Sequence, residues 1–261
     1  MGTTISKDGT KIAFDKLGRG PSLILIDGAL CSRAMGPMPK LAALLSQQFT
    51  VFLYDRRGRN ASGNQLPYSI DREIEDIGAL LGEAGEPAHL VGISTGAILA
   101  ILAASKGLRV AKLAVYEPPF STSPDGPRPP ADSVERISSF LDSGQKSSAL
   151  KYFLHKVVGI PSLIANLFPL FPQWSKMKSA AQTLPYDMAI WRDYSLGLAG
   201  ASQIRMPALV AGGTKSPVYL RNAVKATAEA MPNAKLVFLV GQNHDVKAPA
   251  FAPVLTDFFF S

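Results

Sequence analysis

Unbroken apolar runs and helix-spaced apolar positions alternate along the first half of the chain. Ser22 to Ile26 and Thr50 to Tyr54 are β-prone runs without polar alternation, and Leu90-Val91 opens a third; such runs predict strands buried on both faces. Leu41, Leu44, Leu45 and Gln48 carry helical spacing, as do Ile70, Ile74, Ile77 and Leu81, with Ser69 as N-cap and Gly85 as the stop. Ahead of these, Thr3 to Ser6 and Lys11 to Lys16 read as a hairpin joined at Asp8-Gly9. Small residues from Ala97 to Ala104 form a helix, and Val110 to Tyr116 a strand. The pattern returns near the end with a strand at Pro207 to Gly213, a helix on Leu220, Val224, Thr227 and Met231, and a last strand at Lys235 to Val240. A closing helix on Phe251, Val254, Leu255, Phe258 and Phe259 follows. Ser216-Pro217 is predicted to be the N-cap and first residue of the helix before that last strand. Strand alternating with helix predicts an α/β fold: a mostly parallel sheet covered on both faces.

The alternation stops at Glu117. From there to Gly200 lie half of the prolines, both tryptophans (Trp174 and Trp191) and aromatic residues such as Phe120, Phe153, Phe168, Phe171 and Tyr194. Short helices and no strand are expected. The chain therefore divides into a core of residues 1–119 and 201–261 and a helical insertion of residues 120–200. The insertion is expected to close over the sheet edge, its aromatic side chains walling an apolar pocket.

Length and composition fit this picture: 261 residues, 47% apolar and 18% charged, suffice for one large domain carrying an inserted cap. The formal charge of +7 raises a nucleic-acid reading, but only Arg56, Arg57 and Arg59 cluster, without interleaved aromatics. A solvated basic surface and no nucleic-acid partner are expected. The lone Cys31 excludes an intrachain disulfide, and no His, Cys or carboxylate group has metal-ligand spacing, so neither a metal nor a cofactor is expected. The amino terminus has no basic-then-apolar signal, and no apolar span of about 18 residues follows. Gly2 and Ser6 loosely match a myristoylation pattern with nothing to support it. A soluble, cytoplasmic protein with no membrane partner is the expectation; oligomeric state is not legible.

Chemistry centres on Gly92-Ile93-Ser94-Thr95-Gly96, where a buried strand meets a helix. A turn that sharp demands glycine at its flanks, holds the serine hydroxyl out at the carboxyl edge of the sheet, and aims the helix's amino end at any anion forming there. A serine nucleophile needs a base, usually histidine. His89 lies five residues before Ser94 on the same strand, roughly 16 Å away at about 3.3 Å per residue. His155 falls in the insertion. His244 follows the last strand, at the same edge as Ser94, and is the predicted base.

With the Gly92 to Gly96 elbow, the Tyr54-Asp55-Arg56-Arg57-Gly58 loop followed by Ser62-Gly63, and the Gly241 to His244 loop before a terminal helix, the sequence resembles the α/β-hydrolase family, in particular its capped esterases. The resemblance implies an eight-stranded sheet with a helical cap, and an oxyanion hole made by the backbone amides of Ala29 and Thr95. Two positions depart from the family. Asp27-Gly28 stands where His-Gly is usual, which calls for a partner for Asp27 such as an arginine of the Arg56-Arg57 loop. Ser216 stands about where the family's acid usually follows the seventh strand, so the triad has either lost its acid or takes it from elsewhere. Glu117 is the predicted acid. Its strand directly follows the nucleophile helix and should neighbour the nucleophile strand, and Pro118-Pro119 stiffens the backbone behind it. Some family members, including a subgroup of haloalkane dehalogenases, resemble this arrangement. Asp187, Asp245 and Asp27 are the other contenders.

The expected activity is cofactor-free cleavage of an ester or related acyl bond in a small apolar substrate. A serine at the elbow argues against dehalogenase or epoxide-hydrolase chemistry, for which the family uses aspartate. A perhydrolase, a C–C bond hydrolase, a thioesterase, or a non-catalytic binding protein that keeps the pocket are the alternatives.

Overall fold

A computed structural model describes residues 1–85, 87–120, 126–192, 198 and 200–261. Eight strands, β1 (Gly2–Ile5), β2 (Lys11–Leu17), β3 (Ser22–Ile26), β4 (Thr50–Tyr54), β5 (Ala88–Ile93), β6 (Val110–Tyr116), β7 (Ala208–Gly213) and β8 (Ala234–Leu239), form one sheet in the order β1-β2-β4-β3-β5-β6-β7-β8. β1 and β2 are antiparallel to their neighbours, and β3 to β8 run parallel. Every strand from β3 to β8 therefore ends at one edge.

Alternate residues of the central strands go to opposite layers, which is why those strands are apolar throughout. Leu23 and Leu25 of β3 pack with α1 (Met38–Leu45) and α10 (Ala248–Phe260). Ile24 and Ile26 pack on the other side with α2 (Ile70–Ala84), α3 (Thr95–Ser105) and α9 (Val218–Ala230). Ser69 caps α2 by accepting from the Arg72 amide, and Gly85 ends it at φ 73°, as predicted. α3 is apolar all round and buries 10 of its 11 residues. Its alanines and glycine let it lie close behind β5 and β6. One local expectation fails: α9 starts at Val218 with Pro217 at the cap position, and Ser216 caps nothing. Its hydroxyl is used elsewhere.

Between β6 and β7 the described residues contain helices and no strand: α4 (Ser133–Asp142), α5 (Lys146–Tyr152) running into a wider turn at Phe153–Val157, α6 (Ser162–Leu167), α7 (Trp174–Ala180) and α8 (Leu184–Arg192). They share a third apolar cluster that includes Ile137, Leu150, Phe153, Trp174 and Leu184. Leu30 belongs to it and Ala29 lies against it, so the inserted helices rest on the loop after β3.

Candidate active site

The elbow glycines are fixed by space. A Cβ at Gly92 would come within 2.4 Å of the Gly96 carbonyl oxygen, and one at Gly96 within 2.2 Å of that of Ile26. Between them Ser94 is driven to φ 56°, ψ −125°, a conformation that costs a non-glycine residue about 1–3 kcal/mol and persists only when its surroundings hold it. Two constraints do so. The Ser94 amide donates to Tyr116 O of β6 at 3.0 Å, and its carbonyl accepts from Ala97 N at 2.9 Å to begin α3.

Glu117, one residue past β6, is likewise strained at φ 45°, with its amide donating to Ala211 O of β7 at 3.0 Å. Its carboxylate is wholly buried and receives three donors. Oε1 accepts from the Gly213 amide at 2.7 Å and from the Ser216 hydroxyl, and Oε2 accepts from His244 Nδ1 at 2.8 Å. The Ser216 hydroxyl thus hydrogen-bonds the carboxylate of Glu117. The opposite ring nitrogen, Nε2, lies 3.2 Å from Ser94 Oγ. A carboxylate at Nδ1 fixes the proton there and leaves the Nε2 lone pair facing the serine hydroxyl. The loop carrying His244 is held tightly. Tyr116 Oη donates to Asn243 O at 2.7 Å, Lys215 N donates to Gln242 O at 2.8 Å, and a Cβ on Gly213 would meet Gln242 O at 2.3 Å. The imidazole is 45% exposed.

The other contenders go elsewhere. His89 stacks on Phe259 at 4.6 Å, and burial pushes its imidazole down to about 4; His155 Nδ1 meets Ile160 O at 2.9 Å. Asp245 pairs with Lys247 at 2.6 Å, and Asp187 with arginines.

Thr95 follows the serine directly, and Ala29 follows Gly28, whose backbone lies against the serine. A Cβ on Gly28 would sit 3.1 Å from Ser94 Cβ, which places the loop after β3 against Ser94, and Thr95 is the first residue of α3. Asp27, at the base of that loop, has no arginine ion-pair partner among the described residues, contrary to expectation. Arg56 binds Glu73 at 2.6 Å and Asp187 at 2.8 Å, and Arg57 binds Asp76 at 2.7 Å and Asp8 at 2.9 Å. Neither Asp27 oxygen makes a hydrogen bond of good geometry. Burial pushes its carboxyl up to about 7, against the pull of Arg59, the Gly28 amide and Arg56. The three clustered arginines are no solvated surface either: all are at most 1% exposed. Arginine suits this, since its fork keeps its charge and satisfies several acceptors at once.

The insertion's aromatic residues serve its packing more than a pocket over Ser94. Phe153 and Trp174 are buried in its own cluster, Phe120 joins the core under α3, and Phe171 is 53% exposed beside Phe168. Tyr194 lies outside the described residues. Hollows of about 440 and 240 Å³ both belong to the insertion, the larger lined by polar residues of Gly144 to Ser148 with Lys178 and Ser179. Pro129, Pro130, Val134, Met188 and Trp191 line the smaller one, and Trp191 Nε1 donates to Pro119 O at 3.0 Å, two residues past Glu117. Among the described residues no group of His, Cys, Asp and Glu could hold a metal ion, and no helix is long and apolar enough to cross a membrane.

A parallel sheet that presents a strained serine, a histidine and a carboxylate at its carboxyl edge is the arrangement of an α/β hydrolase. The chain belongs to that family: the profile of the alpha/beta hydrolase family matches residues 28–255, and the protein is a hydrolase enzyme of this class. It is similar over 99% of its length to all of an alpha/beta hydrolase from Sphaerobacter thermophilus DSM 20745, with 41% identity and a TM-score of 0.93. An esterase from Exiguobacterium antarcticum (21% identity, TM-score 0.73) and the enol-lactonase from Burkholderia xenovorans LB400 (22%, 0.70) share the fold, all of each chain being covered in both comparisons.

Proposed function

We propose that the protein cleaves an ester or related acyl bond of a small apolar substrate through an acyl-enzyme on Ser94, with His244 as base and Glu117 as the orienting acid. The observation that carries this reading is the unbroken line from Ser94 Oγ to His244 Nε2 at 3.2 Å and from His244 Nδ1 to Glu117 Oε2 at 2.8 Å. Ser94 Oγ attacks the acyl carbon while its proton passes to Nε2. The carbonyl oxygen becomes an oxyanion held by the amides of Ala29 and Thr95, where fixed donors act on charge that exists only in the transition state. The bond to the leaving group then breaks as that group takes the proton from Nε2. Water, activated by the same nitrogen, releases the acid and restores Ser94. Glu117 acts on the other ring nitrogen. It fixes the histidine tautomer and stabilises the imidazolium formed at each attack.

The inserted helices act as the cap. Their contact with Ala29 and Leu30 supports this.

A fluorophosphonate probe tests the proposal, because it reacts only with an activated serine. Wild-type protein should be labelled on Ser94, and Ser94→Ala should lose labelling and about 10⁴-fold or more in kcat. A Ser94→Ala enzyme that still hydrolysed activated esters near the wild-type rate would end it.

A further inference from the structure

The buried pair Arg59–Asp187 touches both sides of the proposed oxyanion hole, and nothing in the triad uses it. Asp187 sits on α8 of the insertion, 1% exposed, and gathers five contacts. Arg59 Nη2 donates to both its oxygens at 2.8 Å, and Arg56 Nη1 donates to Oδ1 at 2.8 Å. The Thr95 hydroxyl donates to Oδ1 and the Leu30 amide to Oδ2, each at 3.4 Å. Arg59 turns its other terminal nitrogen the opposite way. Nη1 donates to Gly28 O at 2.7 Å and to Cys31 O at 2.9 Å, bracketing the tight loop in which Leu30 is held at φ 61°.

We infer that Arg59 and Asp187 are positioning residues that set the spacing of the Ala29 and Thr95 amides, so that the oxyanion hole is complete only when α8 is seated. The inference rests on the proposed serine mechanism and adds to it a device on which that mechanism depends. The carbonyls on either side of the Ala29-Leu30 turn are fixed by Arg59, which directs the amides between them. The Thr95 side chain is fixed by the carboxylate that holds Arg59. Two cations, Arg56 and Arg59, face two anions, Asp187 and Glu73, so the cluster adds little net field to the oxyanion site while fixing its walls. An oxyanion hole works through donors already in place, and removing one donor costs about 10²–10³ in kcat. Loosening both walls without deleting either donor should cost less.

Two variants test this. Asp187→Asn keeps the shape but breaks the charge pair. Arg59→Lys keeps the charge but cannot reach Asp187, Gly28 O and Cys31 O together, and it carries the test if Asp187→Asn does not fold. Both should lower kcat by about 10- to 100-fold, leave KM within about threefold, and weaken a boronic acid inhibitor, whose tetrahedral adduct on Ser94 places an oxygen in the hole, by the same factor as kcat. The pH at which kcat rises should stay at the wild-type value, because His244 keeps Glu117. A folded variant with wild-type kcat and boronate affinity would overturn the inference, as would a kcat loss without loss of boronate affinity. A shifted pH midpoint would also overturn it, since it would make Asp187 a partner of the histidine. If instead the wild-type enzyme proved unreactive at Ser94, the serine mechanism itself would be the casualty, so the two failures are distinguishable.

Discussion

Two polar networks share the carboxyl edge of this sheet, and they are built to opposite specifications. The line Ser94–His244–Glu117 runs through an imidazole that is 45% exposed, whereas in the Arg56–Arg59–Asp187–Glu73 cluster every side chain is at most 1% exposed. In the proposed mechanism the first passes a proton on every turnover, so one member must meet substrate and water. The second must never change charge, so its cations are arginines and its anions are saturated with their donors. Glu117 belongs to the chemical line by contact and to the structural kind by environment, being wholly buried with three donors. A carboxylate held this way can orient the imidazole and steady an imidazolium.

The largest effect that would break this contrast, short of deleting the nucleophile, is at Glu117. Glu117→Gln replaces an acceptor facing Nδ1 with a group that can present N–H there and favour the wrong tautomer, so kcat should fall by roughly 10²–10⁴ while KM changes little. Steady-state kinetics at saturating ester checks it. A Glu117→Gln enzyme near wild type would mean that the acid of the reaction lies elsewhere. The double variant Glu117→Gln with Ser216→Asp sharpens the point by returning a carboxylate to the position where the family usually has one. It should regain at least about tenfold of the lost kcat if that position can still serve His244.

Ser216→Ala alone should act more gently. It removes one of three donors to a buried carboxylate, a hydrogen bond to a charged group of about 1.5–3 kcal/mol. With the Gly213 amide and His244 still in place, the loss should appear mainly as a lower melting temperature, with kcat reduced no more than about tenfold. Thermal unfolding and kinetics on the same preparation would separate the two, and a kcat loss as large as that of Glu117→Gln would show the hydroxyl to be part of the proton-handling line.

What the sequence made legible follows how locally each feature is encoded. Ser94 is announced by five consecutive residues whose glycines are demanded by backbone contact. Elimination was enough for His244, since only one of three histidines follows a strand at the right edge. Glu117 needed one topological step, that β6 lies beside β5, which the direct helix between them supplies. The arginine cluster was not legible. Its partners stand 17 to 131 residues away along the chain, so Arg56, Arg57 and Arg59 look like any basic loop until the fold brings Glu73, Asp76 and Asp187 to them. The role of Ser216 was hidden for a similar reason, because Ser-Pro before a helix suggests a cap and only the position of Glu117 reveals another acceptor. In the insertion, small and proline-broken helices carry weak periodicity. Of the aromatics expected to wall a pocket, Phe153 and Trp174 hold those helices together, Phe120 joins the main core, and Trp191 lines the small hollow.

The smallest expected effect concerns Asp27, the acid that neither network adopts. It is buried at the foot of the loop carrying Ala29, and its carboxyl is pushed up to about 7 from an ordinary 3.8 because burial disfavours the anion more than Arg59, the Gly28 amide and Arg56 support it. Between those two values the unfolded chain releases the proton while the folded chain keeps it. The unfolded state therefore binds fewer protons, and folding stability falls as pH rises from about 4 to about 7, then levels. Asp27→Asn has no proton to lose. Other groups titrate equally in variant and wild type, so the difference in Tm between them isolates Asp27. That difference should be close to zero at pH 4 and reach at least about 3 °C in favour of Asp27→Asn at pH 8, the shift expected for ~1 kcal/mol in a chain of this size. The same variant should hold its kcat better above pH 7, where the wild-type enzyme places a new negative charge next to the site of the developing oxyanion. Parallel Tm curves for the two proteins across that range would show that Asp27 is ionised and compensated in the folded state. The buried arginine cluster would then be supporting a fifth charge as well as its own four.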